Sequence, residues 1–307
     1  MISVVIPLFN KESYISDTLQ SVLAQTFSNL EVIVVDDGST DGSATMVRAI
    51  NDPRVQLLEI ENSGVSMARN TGITTAKYNW IAFLDADDRW APTFLEEMVQ
   101  AIEDYPNEKI FATGRSMVFT NIEERYANTI IPAQGTTGLI SYFEVITKDL
   151  PPVNSSNVLI LKQLFQKRGF FREGMRQHED HDLWIRLCAK HKVVFINKNL
   201  SFYKKDIANS ASQSVYIAKD FIRYMQTMVE VLPLLSKKDT GFFLKYARKF
   251  IILSFLINSS SYTGKERKQL LKQAKKIIPI SGRMLLKVAS VLSFANLYGA
   301  YKKMKEG

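Results

Sequence analysis

An alternation in the first hundred residues constrains the fold most. Short β-branched runs, each ending in a polar turn, are separated by segments with helical spacing. Val4-Val5-Ile6 has the pattern of a buried strand ended by Pro7. Residues 12–25 then carry Tyr14, Ile15, Leu19, Val22 and Leu23 on one helical face. Residues 30–35 form a second apolar run that breaks at Asp36-Asp37-Gly38-Ser39. A helix over 41–50, a strand over 54–60 and a helix over 64–76 follow. Residues 80–84 make the next strand, and Pro92 suits the first turn of a helix reaching about residue 104. Repeated βα units predict a parallel sheet with helices on both faces.

The 80–84 run enters three carboxylates, Asp85, Asp87 and Asp88. Open α/β sheets bind ligands beyond the carboxyl ends of their strands. Crowded carboxylates there repel one another unless a cation lies among them, and hard oxygen ligands suit Mg²⁺ or Mn²⁺. Taken alone, the pattern fits a solvated turn or a helix N-cap equally well.

Beyond residue 105 the pattern becomes mixed. Strand-like pieces fall at 110–113, 156–161, 193–196 and 200–203, with a helix over 180–190. Past about residue 215 the strands stop and Lys-, Leu- and Ile-rich helical segments follow. Charge divides at much the same place. From Lys237 onward there are 16 Lys and Arg against 3 Asp and Glu, so the first 236 residues are net acidic although the whole chain is +8. Cys188 is the single cysteine, which rules out an intrachain disulfide and predicts a reducing compartment. The N-terminus shows no basic leader, so no secretory signal is expected.

Five ordered motifs resemble the inverting family 2 glycosyltransferases of the GT-A fold. They are Val5-Ile6-Pro7-Leu8-Phe9-Asn10, then Val34-Val35-Asp36-Asp37-Gly38-Ser39-Thr40-Asp41, then Asn62-Ser63-Gly64-Val65-Ser66-Met67-Ala68-Arg69-Asn70, then Asp85-Ala86-Asp87-Asp88, and finally His178-Glu179-Asp180 with Leu183-Trp184-Ile185-Arg186-Leu187. The resemblance covers about residues 1–215. It implies an α/β GT-A fold, with a mixed, mostly parallel sheet flanked by helices and a C-terminal helical extension. It further implies a catalytic domain over 1–215, with a nucleotide-sugar half (1–105) and an acceptor half (106–215), followed by a basic helical region over 216–307.

The resemblance assigns roles residue by residue. Pro7, Phe9 and Asp36 or Asp37 would contact the nucleobase, with Asn10, Glu12, Asn62, Gly64 and Ala86 also lining the donor site. Arg69, near a helix N-terminus, would touch the diphosphate or the sugar. Asp85 would contact ribose or sugar and stand beside the metal, and Asp87 would be the main ligand of Mg²⁺ or Mn²⁺. Asp88 is left to cap the next turn. Asp180 would be the general base, with Glu179 a partner for the acceptor; by residue type Asp180 equally suits an N-cap. Leu183, Trp184 and Leu187 fall at helical spacing and read as core. The resemblance departs at residues 202–207. The family often carries a histidine there, whereas the only histidines here are His178, His181 and His191. Lys204 or Lys205 would replace that contact as a point charge.

The implied reaction moves a sugar from a nucleotide-diphosphate sugar, foremost a UDP-sugar, to a hydroxyl of a surface polysaccharide or lipid-linked glycan. Alternatives are transfer to a polyprenyl phosphate and a non-catalytic nucleotide-sugar-binding subunit. In the C-terminal region, the apolar stretches 242–257 and 284–301 are interrupted by Lys245, Arg248, Lys249 and Lys287 and fall short of a membrane span. Residues 265–278 place Leu270, Leu271, Ala274, Ile277 and Ile278 on one face and lysines on the others. Such a helix suits an anionic membrane surface, which predicts a cytoplasmic enzyme peripheral to the inner face of the cell membrane. The alternative is a solvated cap docked on the catalytic domain. No nucleic-acid module is recognised, so no nucleic-acid partner is expected.

Overall fold

The computed structural model describes residues 1–120, 122–205, 217–258 and 261–291. Its first part runs β1 (Ile2–Leu8), α1 (Ile15–Leu23), β2 (Leu30–Asp36), α2 (Ser43–Arg48), β3 (Val55–Glu59), α3 (Val65–Thr75), β4 (Trp80–Phe83), β5 (Arg89–Trp90) and α4 (Phe94–Asp104). There follow β6 (Ile110–Val118), β7 (Glu123–Arg125), β8 (Thr137–Ile140), α5 (Tyr142–Val145), β9 (Val158–Leu161), α6 (Gln163–Arg168), α7 (Glu179–Cys188) and β10 (Val193–Lys204). The described C-terminal elements are helical: α8 (Ala218–Val231), α9 (Lys237–Asn258), α10 (Gly264–Ala274) and α11 (Ile280–Val291).

Among the described residues, ten strands join one mixed, mostly parallel sheet of order β3-β2-β1-β4-β9-β6-β10-β5, with β7 on β6 and β8 on β10. The four strands β3, β2, β1 and β4 are mutually parallel. Strand β9 runs against both β4 and β6, and β10 is parallel to β6. The carboxyl ends of β1, β2, β4 and β10 and the amino end of β9 therefore share one edge of the sheet. Alternation along β1 sends Val4 and Ile6 to a core under α1 and α4, and Val5 to a second core on the opposite face.

The second core also takes in Leu183, Trp184 and Leu187 of α7, with Phe221 and Met225 of α8 and Phe243, Ile251 and Phe255 of α9. The C-terminal helices thus dock on the sheet's own core. This alters the expectation for residues 265–278. Leu270, Ala274, Ile277 and Ile278 are between 1% and 4% exposed, so the apolar face that a bilayer would take is packed inside the protein. No described helix is long and apolar enough to cross a membrane. The stretch 284–301 lies partly outside the described residues.

Strand β1 continues through Pro7 rather than ending there. Pairing with β4 stops at Val5, so beyond that point β1 has β2 alone as a neighbour, and a residue without an N–H is tolerated. The expected strands 193–196 and 200–203 are one continuous β10, bent by register shifts between Ile196 and Ser201.

Candidate active site at the carboxyl edge of the sheet

Three loops at the shared edge interlock through side-chain-to-backbone bonds. After β1, Asn10 (φ +51°) accepts from the Thr40 amide at 2.8 Å, and the Glu12 carboxylate accepts from the Gly42 amide at 2.6 Å. After β2, Asp36 accepts from the Ser39 amide and hydroxyl. The two Asp37 oxygens accept from the Ser63 amide at 2.7 Å and the Gly64 amide at 2.9 Å, while Asn62 donates to the Asp37 carbonyl. Gly38 (φ +73°) sits so close to Asn62 that a Cβ there would lie 3.0 Å from its amide nitrogen. Asp36 and Asp37 are thus nearly buried clips that shape the crevice. Phe9, by contrast, is 45% exposed at its mouth, beside buried Pro7.

Gly64 (φ +91°) opens α3, and Arg69 lies in that helix's second turn. Gly72 lets the helix lie on β1, since a Cβ there would meet Val5 Cγ1 at 2.3 Å. Arg69 is only 4% exposed. Its Nη2 donates to Asp85 at 2.8 Å, its Nη1 donates to Glu179 at 3.2 Å, and its plane covers the Phe171 ring at 5.1 Å. Each terminal nitrogen serves a carboxylate, so Arg69 braces two acidic segments at the donor crevice.

The three acids after β4 have separate surroundings. Asp85 faces Arg69, and its amide donates to Ser156 Oγ at 3.1 Å. Asp87 pairs with Lys11 at 2.7 Å. Asp88 is buried, accepting from the Ser156 hydroxyl and from the Lys204 amide at 2.8 Å. Ala86 is buried, and its carbonyl accepts from Thr18. Burial, and then the charge of Asp85, pushes the proton affinity of Asp87 up despite Lys11. The same two causes in the same order raise Asp88 well above the ordinary carboxylate value. Lys204 points its ammonium over the Tyr14 ring at 4.3 Å.

Glu179 and Asp180 open α7, preceded by His178 in the left-handed conformation (φ +61°). The His178 ring stacks on Tyr224 at 5.2 Å and meets Phe250 edge-on at 5.5 Å, so α8 and α9 hold the turn that aims both carboxylates. Burial, and then the neighbouring Asp180 charge, raises Glu179 to about 7 against the pull of Arg69. Burial also opposes ionisation of Asp180, but the charges of His181 and Arg69 and the His181 amide outweigh it, and its pKa is lowered. The pair therefore holds one reliable anion, Asp180, beside a carboxyl that gains a proton easily.

Among the described residues no three His, Cys, Asp or Glu side chains converge to hold a metal alone. The donor set still fits a hard cation bound jointly with a substrate. Burial, and then the neighbouring charge of Asp85, disfavours ionisation of Asp87, and the Lys11 ammonium supplies compensating charge. Asp85 is turned toward Arg69, so Asp87 is the better placed ligand. The site also contains Lys11 and Ser156, which sequence reasoning missed. Nothing local marks either one, because each acts on a residue 68 or more positions away.

The model for "Glycosyl transferase family 2" matches residues 3–166. Glycosyltransferase GlyG of Streptococcus pneumoniae is 30% identical over 67% of this chain and 71% of its own length. An uncharacterized glycosyltransferase of Rickettsia typhi is 28% identical over 64% of this chain. The chain spans only 61% of that protein's length, and 34% of the length of pneumococcal GlyA. Among solved structures, Staphylococcus aureus TarS 1–349 in complex with UDP-GlcNAc superposes with a TM-score of 0.77 over 98% of this chain and 91% of that one, at 17% identity.

Proposed function

The chain belongs to glycosyltransferase family 2, and from that premise we propose that it transfers a sugar from a nucleotide-diphosphate sugar to a hydroxyl with inversion at the anomeric carbon. The observation that carries this reading is the Arg69 bridge, which brings the acids after β4 and the carboxylates opening α7 to one crevice. Residues 1–215 act as the catalytic domain, and the described helices α8 and α9 of the region that follows support α7.

The donor is a UDP-sugar, a choice supported by the UDP-GlcNAc complex of the structurally similar TarS. Its base lies between Pro7 and exposed Phe9, in the crevice shaped by Asn10, Glu12, Asp36, Asp37, Asn62 and Gly64. Lys204 and Lys11 supply positive charge near the diphosphate. Asp180 takes the proton from the acceptor hydroxyl as its oxygen attacks the anomeric carbon. The bond to the diphosphate breaks on the opposite face and its electron pair leaves with the diphosphate, so one displacement inverts the centre. Asp87, with Asp85 beside it, would hold Mg²⁺ or Mn²⁺, which when bound would supply Lewis-acid neutralisation of the charge on the leaving diphosphate. Glu179 holds Arg69 and offers the acceptor a hydrogen bond.

The acceptor is a growing surface polysaccharide or a lipid-linked glycan. Contact with an anionic inner membrane face rests on charge alone, through exposed Lys265, Lys268, Lys272, Lys275 and Lys276. The test of the reading is nucleotide release from a panel of UDP-, GDP- and dTDP-sugars, with Mn²⁺ or with chelator. Metal-dependent release from a UDP-sugar is expected. A protein that binds none of these donors would overturn the reading.

A further inference from the structure

Lys11 stands apart from the other cations of the crevice because its ammonium is committed to a single acid. Its Nζ lies 2.7 Å from Asp87 Oδ2, and both side chains are mostly shielded, at 20% and 14% exposure. The main chain that carries it is pinned. The Lys11 amide donates to Ser43 Oγ at 2.7 Å, and its neighbours Asn10 and Glu12 are tied to Thr40 and Gly42. A side chain launched from so fixed a backbone stays near its target acid. The Tyr14 ring adds a soft wall, with the Lys11 ammonium 5.9 Å from its centroid and that of Lys204 at 4.3 Å. Lys11 holds one of the two Asp87 oxygens, and a divalent ion on either oxygen would share the carboxylate with the ammonium at short range, where two cations repel.

We infer that Lys11 is an internal counter-ion that competes with the divalent metal for Asp87, so that metal binding is weakened while the ammonium stays in place. The inference rests on the proposed metal role of Asp87. It makes metal affinity in the absence of donor a property set by a lysine that ligates nothing itself. An ion pair of this kind weakens metal binding by roughly two- to fivefold.

The test titrates Mn²⁺ into the full chain without nucleotide and reads free Mn²⁺ by electron paramagnetic resonance. Wild type, Lys11→Met, Lys11→Arg and Asp87→Asn are compared. Lys11→Met is expected to bind Mn²⁺ roughly two- to fivefold tighter than wild type. Lys11→Arg, which keeps the charge, stays weak, and Asp87→Asn loses binding. If Lys11→Met binds no tighter than wild type while Asp87→Asn binds more weakly, the competition is refuted and the metal role of Asp87 stands. If Asp87→Asn binds as wild type does, the metal role itself fails and the inference with it. Should Lys11→Met not fold, Lys11→Gln answers the same question.

Discussion

Arg69 and Glu179, 110 positions apart, meet at 3.2 Å between Nη1 and Oε1, while the same guanidinium holds Asp85 at 2.8 Å. One buried cation thus fixes the spacing between the acids after β4 and the start of α7. Removing it leaves two carboxylates facing each other without compensation. Arg69→Met is expected to cost about 3–5 kcal/mol of stability, because breaking a buried pair strands the remaining charge. Adding Glu179→Gln should recover part of that loss. Denaturant unfolding of the single and double variants measures both effects.

Glu179 gives a pH signature of its own. Its folded value of about 7 lies above its ordinary 4.5. The folded state therefore binds the proton more tightly, and this contribution is fully present below pH 4.5 and lost as pH rises through 7. Glu179→Gln removes that dependence. Relative to the variant, wild type should lose on the order of 1–3 kcal/mol between pH 4.5 and pH 8. Unfolding curves across that range, wild type against variant, read the difference directly.

Much of this site was legible before its geometry. The strands ending at Leu8, Asp36 and Phe83 announce themselves as β-branched or aromatic runs that stop at turn residues, because local sterics and burial act within each run. Core positions on α7, such as Trp184 at 1% exposure, follow from helical spacing in the same way. What pattern reading missed is non-local. β5 is two residues long and exists only as a partner for β10. That Arg69 also meets Glu179 depends on where α7 arrives in space, which no residue near Arg69 encodes. The apolar stripe of residues 265–278 has the same periodicity whether it meets lipid or protein, and packing on the core decided it.

Asp88 and Asp87 are expected to separate by function although they are adjacent. Asp88→Ala strands the Ser156 hydroxyl and the Lys204 amide, and should cost about 1–3 kcal/mol of stability. Asp87→Ala, at the rim with Lys11, should cost under about 1 kcal/mol and show its effect in Mn²⁺ dependence instead. Thermal unfolding paired with metal-dependent donor turnover resolves the two.

Gly72 sets how closely α3 approaches β1, and through α3 the height of Arg69. Gly72→Ala forces a Cβ to within 2.3 Å of Val5 Cγ1, an overpacking expected to cost about 1–3 kcal/mol. Trimming the obstacle with Val5→Ala in the same chain should relieve the clash, so the pair is expected to be less than additive. A double-mutant cycle on unfolding free energy measures that coupling.

Asp180 is the proposed base. Its role is tested most directly by donor turnover of Asp180→Asn against wild type, with donor affinity determined on the same samples. With Asp180 as base, kcat for the preferred UDP-sugar is expected to fall by about 10²-fold or more while donor Kd stays within about twofold. Turnover by Asp180→Asn at the wild-type rate would contradict that role.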